Sequence, residues 1–344
     1  MKSLVDLEMP NVFRQHPIWL VLGLIFAVGC GSSKATPTQE ASADGQGGGK
    51  GSKTKIVTTV GMVTDIVREV VGDHGEVIGL LSEGIDPHLY KPTREDMQQL
   101  SRADIIFYGG LLLEGRMEES LKKLRTGKSV VGVSESLDKA NLRKPPEFDG
   151  HFDPHVWMDV KLWSHCVDAV TTTMTEHDSQ HAAEFTERAK AYQQKLGKLD
   201  DYVRQSIQSI PEQQRVLVTA HDAFGYFARA YGMEVKSVQG ISTESEAGVA
   251  DVNSLVDFLV DRKIVAIFVE SSVSDKGLRA VIEGAGKRGW TVKVGGKLFS
   301  DAMGTAGTYE GTYVGMIDHN ATTITRSLGG QAPERGFRST EEKP

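Results

Sequence analysis

The tripeptide Asp-Pro-His occurs twice in the chain, as Asp86-Pro87-His88 and as Asp153-Pro154-His155. Proline fixes its own φ and drives the preceding residue toward an extended conformation, so each copy presents an imidazole on a stiff loop. A third histidine, His221, directly follows the apolar run "RVLVTA", and Asp301 directly follows "KLFS". Imidazole nitrogens together with one carboxylate suit a first-row divalent ion such as zinc, manganese or iron. Asp86, Asp153, Asp222 and Glu270 stand where they can orient backbone or imidazole N–H groups behind those donors. A lone loop histidine is more often a hydrogen-bonded surface residue than a ligand, so the weight lies on the set. His177 and His181 have helical spacing but straddle a predicted turn and read as solvated residues, while His151 reads as a metal-delivery or surface residue. Phe224, Tyr226 and Phe227 read as the packed face of a helix behind His221.

The elements that must position these residues alternate in type. "KIVTTV", "EVIGLL", "DIIFYG" and "SVVGVS" predict strands, separated by amphipathic stretches such as "MVTDIVREVV", with Val63, Ile66, Val67 and Val70 on one face, and "TREDMQQLSRA". The rhythm resumes at "RVLVTA", "EVKSVQG", "IVAIFVE" and "TVKVGGKLFS", before a final helix around 309–327. This is an α/β pattern with mainly parallel sheets in two lobes, 54–178 and 211–328. Between them, Phe185, Ala189, Tyr192, Leu196, Leu199, Val203, Ile207 and Ile210 recur at spacings of three and four, and Pro211 ends the run. One long helix over 179–210 follows, a stiff strut rather than a hinge. Ligands of open α/β sheets bind outside the carboxyl ends of strands. His88 and His155 come from one lobe and His221 and Asp301 from the other, so they can converge in a cleft between the lobes.

With 344 residues, 39% hydrophobic and 25% charged, the chain has the composition of a globular protein, and a net charge of −7 gives no footprint for nucleic acid. Residues 1–29 read as a signal peptide: the apolar run "IWLVLGLIFAV" is short for a membrane span and is preceded by Lys2 and Arg14. Asp6 and Glu8 are unusual there, and a start at Met9 would remove them. Ala27, Gly29 and Cys30 resemble a bacterial lipoprotein processing site, which makes Cys30 the lipidation position. Residues 30–53 form a Gly/Ser-rich flexible tether, whose "GGGKGS" is not a phosphate loop, and 329–344 read as a flexible tail. Cys166 is then the sole thiol, a buried helical one, and no disulfide framework exists.

The segments "GIDPHLYKPTREDMQQLSRADIIFYGGLLLEGRM", "DPHVWMDV", "TAHDAFGYFARAYGMEVKSVQGISTESEAG", "IFVESSV" and "FSDAMGTAGTYEGTYVGMIDHN" closely resemble the metal-binding lipoproteins of ABC importers, especially the TroA-like zinc/manganese group. The resemblance runs from about 54 to 328. It implies two pseudo-symmetric α/β lobes joined by a rigid helix, with Zn²⁺ or Mn²⁺ held by His88, His155, His221 and Asp301. It also implies an ABC permease with its ATPase as partner, a lipid-anchored extracytoplasmic or periplasmic location, a monomer, and no catalysis. His221 favours zinc, because manganese-specific relatives commonly carry Glu there; only His151 precedes the second ligand loop, whereas zinc-specific relatives often carry a His-rich insertion. Both ions stay open. Neutral imidazoles are needed for coordination, so affinity is expected to fall as pH drops toward about 6.5. Two other classes compete: a secreted zinc hydrolase, disfavoured because four protein ligands close the water position, and an adhesin lipoprotein with structural metal.

Overall fold

The structure, a computed structural model, describes residues 53–341. The expected signal peptide, Cys30, nearly all of the tether and residues 342–344 lie outside the described residues. The first lobe runs β1 (Thr54–Thr58), α1 (Gly61–Val71), β2 (Gly75–Gly79), α2 (Arg94–Arg102), β3 (Ile105–Tyr108), α3 (Glu118–Leu124) and β4 (Ser129–Gly132), then a chain of short 3₁₀ turns into α4 (Val160–Ser164) and α5 (Cys166–His177). Its strands are all parallel in the order β2-β1-β3-β4. Local chemistry sets these elements. Val63, Ile66, Val67 and Val70 give α1 one wholly buried face, and Thr93 with Asp96 closes a capping box at the start of α2.

A single helix, α6 (Ala182–Gln208), follows and spans about 40 Å for its 27 residues. The second lobe runs β5 (Val216–His221), α7 (Gly225–Tyr231), β6 (Glu234–Gln239), α8 (Val249–Asp261), β7 (Ala266–Glu270), α9 (Lys276–Lys287), β8 (Lys293–Leu298), α10 (Tyr313–Ser327) and α11 (Arg338–Glu341). β5 pairs with β6 and β7 with β8, both parallel, and β5 lies alongside β7. The order β6-β5-β7-β8 therefore repeats that of the first lobe. In each, the connections diverge between the first and third strands, the crevice where α/β proteins bind ligands.

The strut packs on α1, α4 and α5 on one side and on α7 and α10 on the other. Its apolar stripe is buried from Phe185 to Ile207 and belongs to one continuous core with both lobes. Polar ties fasten it to both lobes: Tyr192 donates to Asp65 of α1 at 2.6 Å, and the Tyr202 and Thr322 hydroxyls are 2.6 Å apart. Gly197 does not break the helix: Leu196 and Leu199 on either side of it are buried, and that packing offsets the helix propensity it lacks.

The described part of the expected tail, 329–341, is not free. Phe337 is 1% exposed, packs its ring at a tilt against Tyr202 and donates its main-chain N–H to Asp318, while Gln331 N–H donates to Ser209 at the strut's C-cap. Its polar composition hid one aromatic anchor. Among the described residues no helix is long and apolar enough to cross a membrane.

Candidate metal centre

His221 is the last residue of β5, a strand buried along its whole length, and Asp301 lies in the loop after β8. That loop is set by Asn320 of α10, whose side chain accepts from Phe299 N–H and donates to Phe299 C=O. His88 lies in the irregular connection from β2 to α2. His155, placed by sequence only in the second Asp-Pro-His loop, caps the 3₁₀ turn Val156–Met158, far beyond β4, and is held by contacts of that turn. Trp157 Nε1–H donates to Ser300 C=O at 2.9 Å, and Tyr313 O–H donates to Trp157 C=O at 2.7 Å. The His155 turn is thereby fastened to the residue before Asp301.

One donor atom from each of His88, His155, His221 and Asp301 lies within 4.8 Å of the others, and all four residues are buried. His221 Nε2 is 3.1 Å from Asp301 Oδ2, His155 Nε2 is 3.5 Å from Asp301 Oδ1, and the Nε2 atoms of His88 and His155 are 3.3 Å apart. Both Asp301 oxygens and His221 Nε2 are buried without a well-aligned hydrogen bond. A buried carboxylate needs a compensating charge; in the metal-free protein the His155 and His221 rings stand beside it, and a divalent cation shared with the imidazoles would take the place of their protons. A cavity of about 370 Å³ between the lobes, lined in part by Arg68, Glu83, Ile85 and Met303, reaches Asp301.

The surrounding acids act differently from one another. Asp153 accepts from His155 Nδ1 at 2.8 Å and from its main-chain N–H, and is paired with Arg143. Glu270, at the end of β7, accepts from His221 Nδ1 at 2.6 Å and from the N–H groups of Ala220 and His221. Each arrangement fixes the tautomer that turns Nε2 inward. Asp86 takes no imidazole N–H; it accepts from His88 N–H and from the Thr243 hydroxyl of the other lobe. Asp222, grouped with these acids by sequence, has a buried Oδ1 without a hydrogen-bond partner. His151 is exposed against Phe148, and His181 is bonded to Asp178 away from the cluster.

Three participants carried no sequence signal. Arg143 bonds Asp153 and lies over the Tyr226 ring. Gly225 makes room for it, since a Cβ there would overlap the guanidinium. Tyr226, read from sequence as packing only, is fully buried, and its hydroxyl accepts from Arg143 N–H and donates to Asp153 C=O across the lobes.

The charge state is set by proximity. Burial opposes the imidazolium of His155, but Asp153 and Asp301 outweigh it and push the group up to about 9. Burial likewise opposes His221, and Asp301 and Glu270 still raise it well above the ordinary histidine range. Asp301, despite its burial, is held well below the usual carboxylate range by His221 and His155. Burial dominates at His88 and lowers it to about 3. The metal-free centre is therefore two imidazolium rings around one carboxylate, with His88 neutral. Proton competition with a metal accordingly extends well above the pH of about 6.5 expected for ordinary histidines.

Two matched α/β lobes on one continuous helix, with a buried three-imidazole, one-carboxylate donor set drawn from both, define a strut-type binding protein with a seat suited to a single transition-metal ion. The chain belongs to the ZnuA family, described as zinc-uptake complex component A, periplasmic, whose profile matches residues 56–327. It is 48% identical over 309 residues to the zinc-binding protein TroA of Treponema pallidum (strain Nichols), covering 90% of this chain and 96% of that one. It is 44% identical over 317 residues to the manganese-binding lipoprotein MntA of Bacillus subtilis (strain 168), covering 92% and 99%. The solved structure of the periplasmic zinc-binding protein TroA from Treponema pallidum superposes with a TM-score of 0.78 over 80% of this chain and 99% of that one, at 50% identity.

Proposed function

We propose that this protein captures Zn²⁺ or Mn²⁺ outside the cytoplasmic membrane and delivers it to an ABC permease driven by its ATPase. The observation that carries the reading is the buried cluster itself: His88, His155, His221 and Asp301 turn donor atoms toward one point, and the atoms of Asp301 there lack any other partner. Four protein ligands close the position that a catalytic water needs, which argues for cargo rather than catalysis. Family membership and the metal-binding relatives support the same reading. In it, residues 54–178 and 211–328 are the two lobes, 179–210 the linking strut, and Cys30 carries the lipid that tethers a monomer through residues 30–53 after removal of 1–29.

Equilibrium dialysis of chelator-stripped protein against zinc and against manganese, read by elemental analysis, tests the proposal. One ion per chain, reversibly removed without unfolding, is expected, with affinity lost in His221→Ala and Asp301→Ala. Binding unchanged in both variants refutes the seat, and metal removable only by unfolding refutes transport. Because zinc outcompetes manganese at most sites of this type, the transported ion is read from protein isolated from its own envelope under defined metal supply.

A further inference from the structure

The two Asp-Pro-His copies are built alike and used differently. In the second, Asp153 serves its own histidine and is joined to the opposite lobe through buried bonds of Tyr226, Trp157 and Tyr313 nearby. In the first, Asp86 holds the main chain of His88 with one oxygen, at 2.9 Å, and with the other accepts the Thr243 hydroxyl at 2.6 Å. Thr243 is 6% exposed and stands in the loop between β6 and α8 of the second lobe. That loop starts at Gly240, whose carbonyl accepts from the N–H of Asp222, the residue after His221. One carboxylate thus joins the turn that carries His88 to a loop anchored beside His221.

Nothing else of comparable quality crosses the lobes near His88 among the described residues. Arg116 and Glu244 approach to 3.7 Å, but both are largely exposed, and such a pair contributes little. Glu83 and Thr305 are hydrogen-bonded at an exposed position. The His88 loop has no helix or strand of its own between Gly79 and Arg94, and Ile85 and Leu89 on it face solvent. No carboxylate receives a ring N–H of His88 among the described residues, in contrast to His155 and His221.

We propose that the Thr243–Asp86 hydrogen bond is a latch between the lobes, which makes Thr243 a positioning residue that sets how fast the ion leaves. The inference rests on the proposed metal seat. Thr243 touches no ligand side chain and acts through Asp86, which couples the position of His88 to contact between the lobes. A hydrogen bond to a carboxylate of this kind corresponds to about a 10- to 100-fold change in a rate or equilibrium.

The test measures zinc release from the full chain into excess chelator by stopped flow. Thr243→Val keeps the shape and removes the donor, and is expected to release zinc about 10- to 100-fold faster than wild type. Thr243→Ser, which retains the hydroxyl, is expected to release at the wild-type rate. The cobalt(II) absorption spectrum of Thr243→Val should match wild type, because the ligands are untouched. In an Asp86→Ala background, adding Thr243→Val should have no further effect. Release by Thr243→Val within twofold of wild type, or equal acceleration with and without Asp86, overturns the latch alone. A wild-type chain that takes up no zinc overturns the seat and the latch together.

Discussion

Glu270 offers the sharpest test of how the centre selects one ring nitrogen. Its Oε1 accepts from Ala220 and His221 N–H at 2.6 and 2.9 Å, and its Oε2 accepts from His221 Nδ1 at 2.6 Å. In Glu270→Gln the amide oxygen can keep the two main-chain bonds, but the NH₂ then faces the Nδ1–H of His221, donor against donor. The ring must either lose that bond or move its proton to Nε2, which removes the lone pair needed for the metal. A charge-assisted bond of about 1.5–3 kcal/mol is at stake, equivalent to about 10- to 100-fold in metal affinity. A second consequence separates this from general damage. Without the Glu270 charge, His221 holds its proton less firmly in the metal-free state, so fewer protons are displaced on binding. The affinity deficit should therefore widen as pH rises and proton competition fades. Competition against a chromophoric chelator gives the affinity, and calorimetry in buffers of different ionisation enthalpy gives the proton count. Wild-type affinity in Glu270→Gln, or a weakened site with an unchanged proton count, refutes the tautomer argument.

The same charge arrangement predicts the pH behaviour of metal-free protein. His155 and His221 keep protons that the unfolded chain gives up above about pH 6.5, so their stabilisation is full below that pH and is lost as pH rises through about 9. His88, lowered to about 3, binds fewer protons than the unfolded chain below about pH 6.5, so stability also falls on acidification. Thermal midpoints of chelator-stripped protein should thus fall as pH rises from about 6.5 to 9, and that decline should shrink in Asp301→Asn, which removes one of the carboxylates facing both protons. Zinc affinity should climb steadily between pH 6 and 9, measured by chelator competition. Gly225→Ala should displace Arg143 and weaken zinc binding, whereas Gly197→Ala, in open space on the strut, should leave it unchanged and raise the thermal midpoint slightly. Phe337→Ala should cost about 3 kcal/mol in a denaturant titration with zinc affinity retained, because the ring is 1% exposed and distant in chain from every ligand.

What could be read from the sequence was whatever repeats locally. The short β-branched run "KIVTTV", buried on both faces, and the three-four spacing from Phe185 to Ile207, buried on one, are both local patterns, so strands, strut and lobe count were legible. His221 was legible because β5 ends on it, and Asp301 because it closes the β8 connection. Asp222 was grouped with these acids because it follows His221, but adjacency in sequence supplies no partner for its buried Oδ1. The partner that His221 does use, Glu270, comes from the neighbouring strand at the same level of the sheet. Arg143, Tyr226 and Thr243 could not be found this way, since each acts through a polar contact with a residue of the other lobe or another loop, and no periodicity records such a pair.

Those unread contacts decide how a rigid molecule can release what it holds. A strut whose stripe is buried in one core with both lobes resists wide opening, because separation would expose Phe185, Leu196 and Val203 together with the helices packed on them. Motion must then come from small tilts and from loops that lack secondary structure of their own. His221 is built into a buried strand, Asp301 is pinned through Phe299 to Asn320, and His155 sits on a turn bonded to Ser300. The His88 loop has no helix or strand of its own, and beside its exposed Glu83–Thr305 bond its tie to the other lobe runs through Asp86 to Thr243. The geometry thus divides the seat into a fixed part of three donors and one donor whose hold on the ion depends on contact between the lobes.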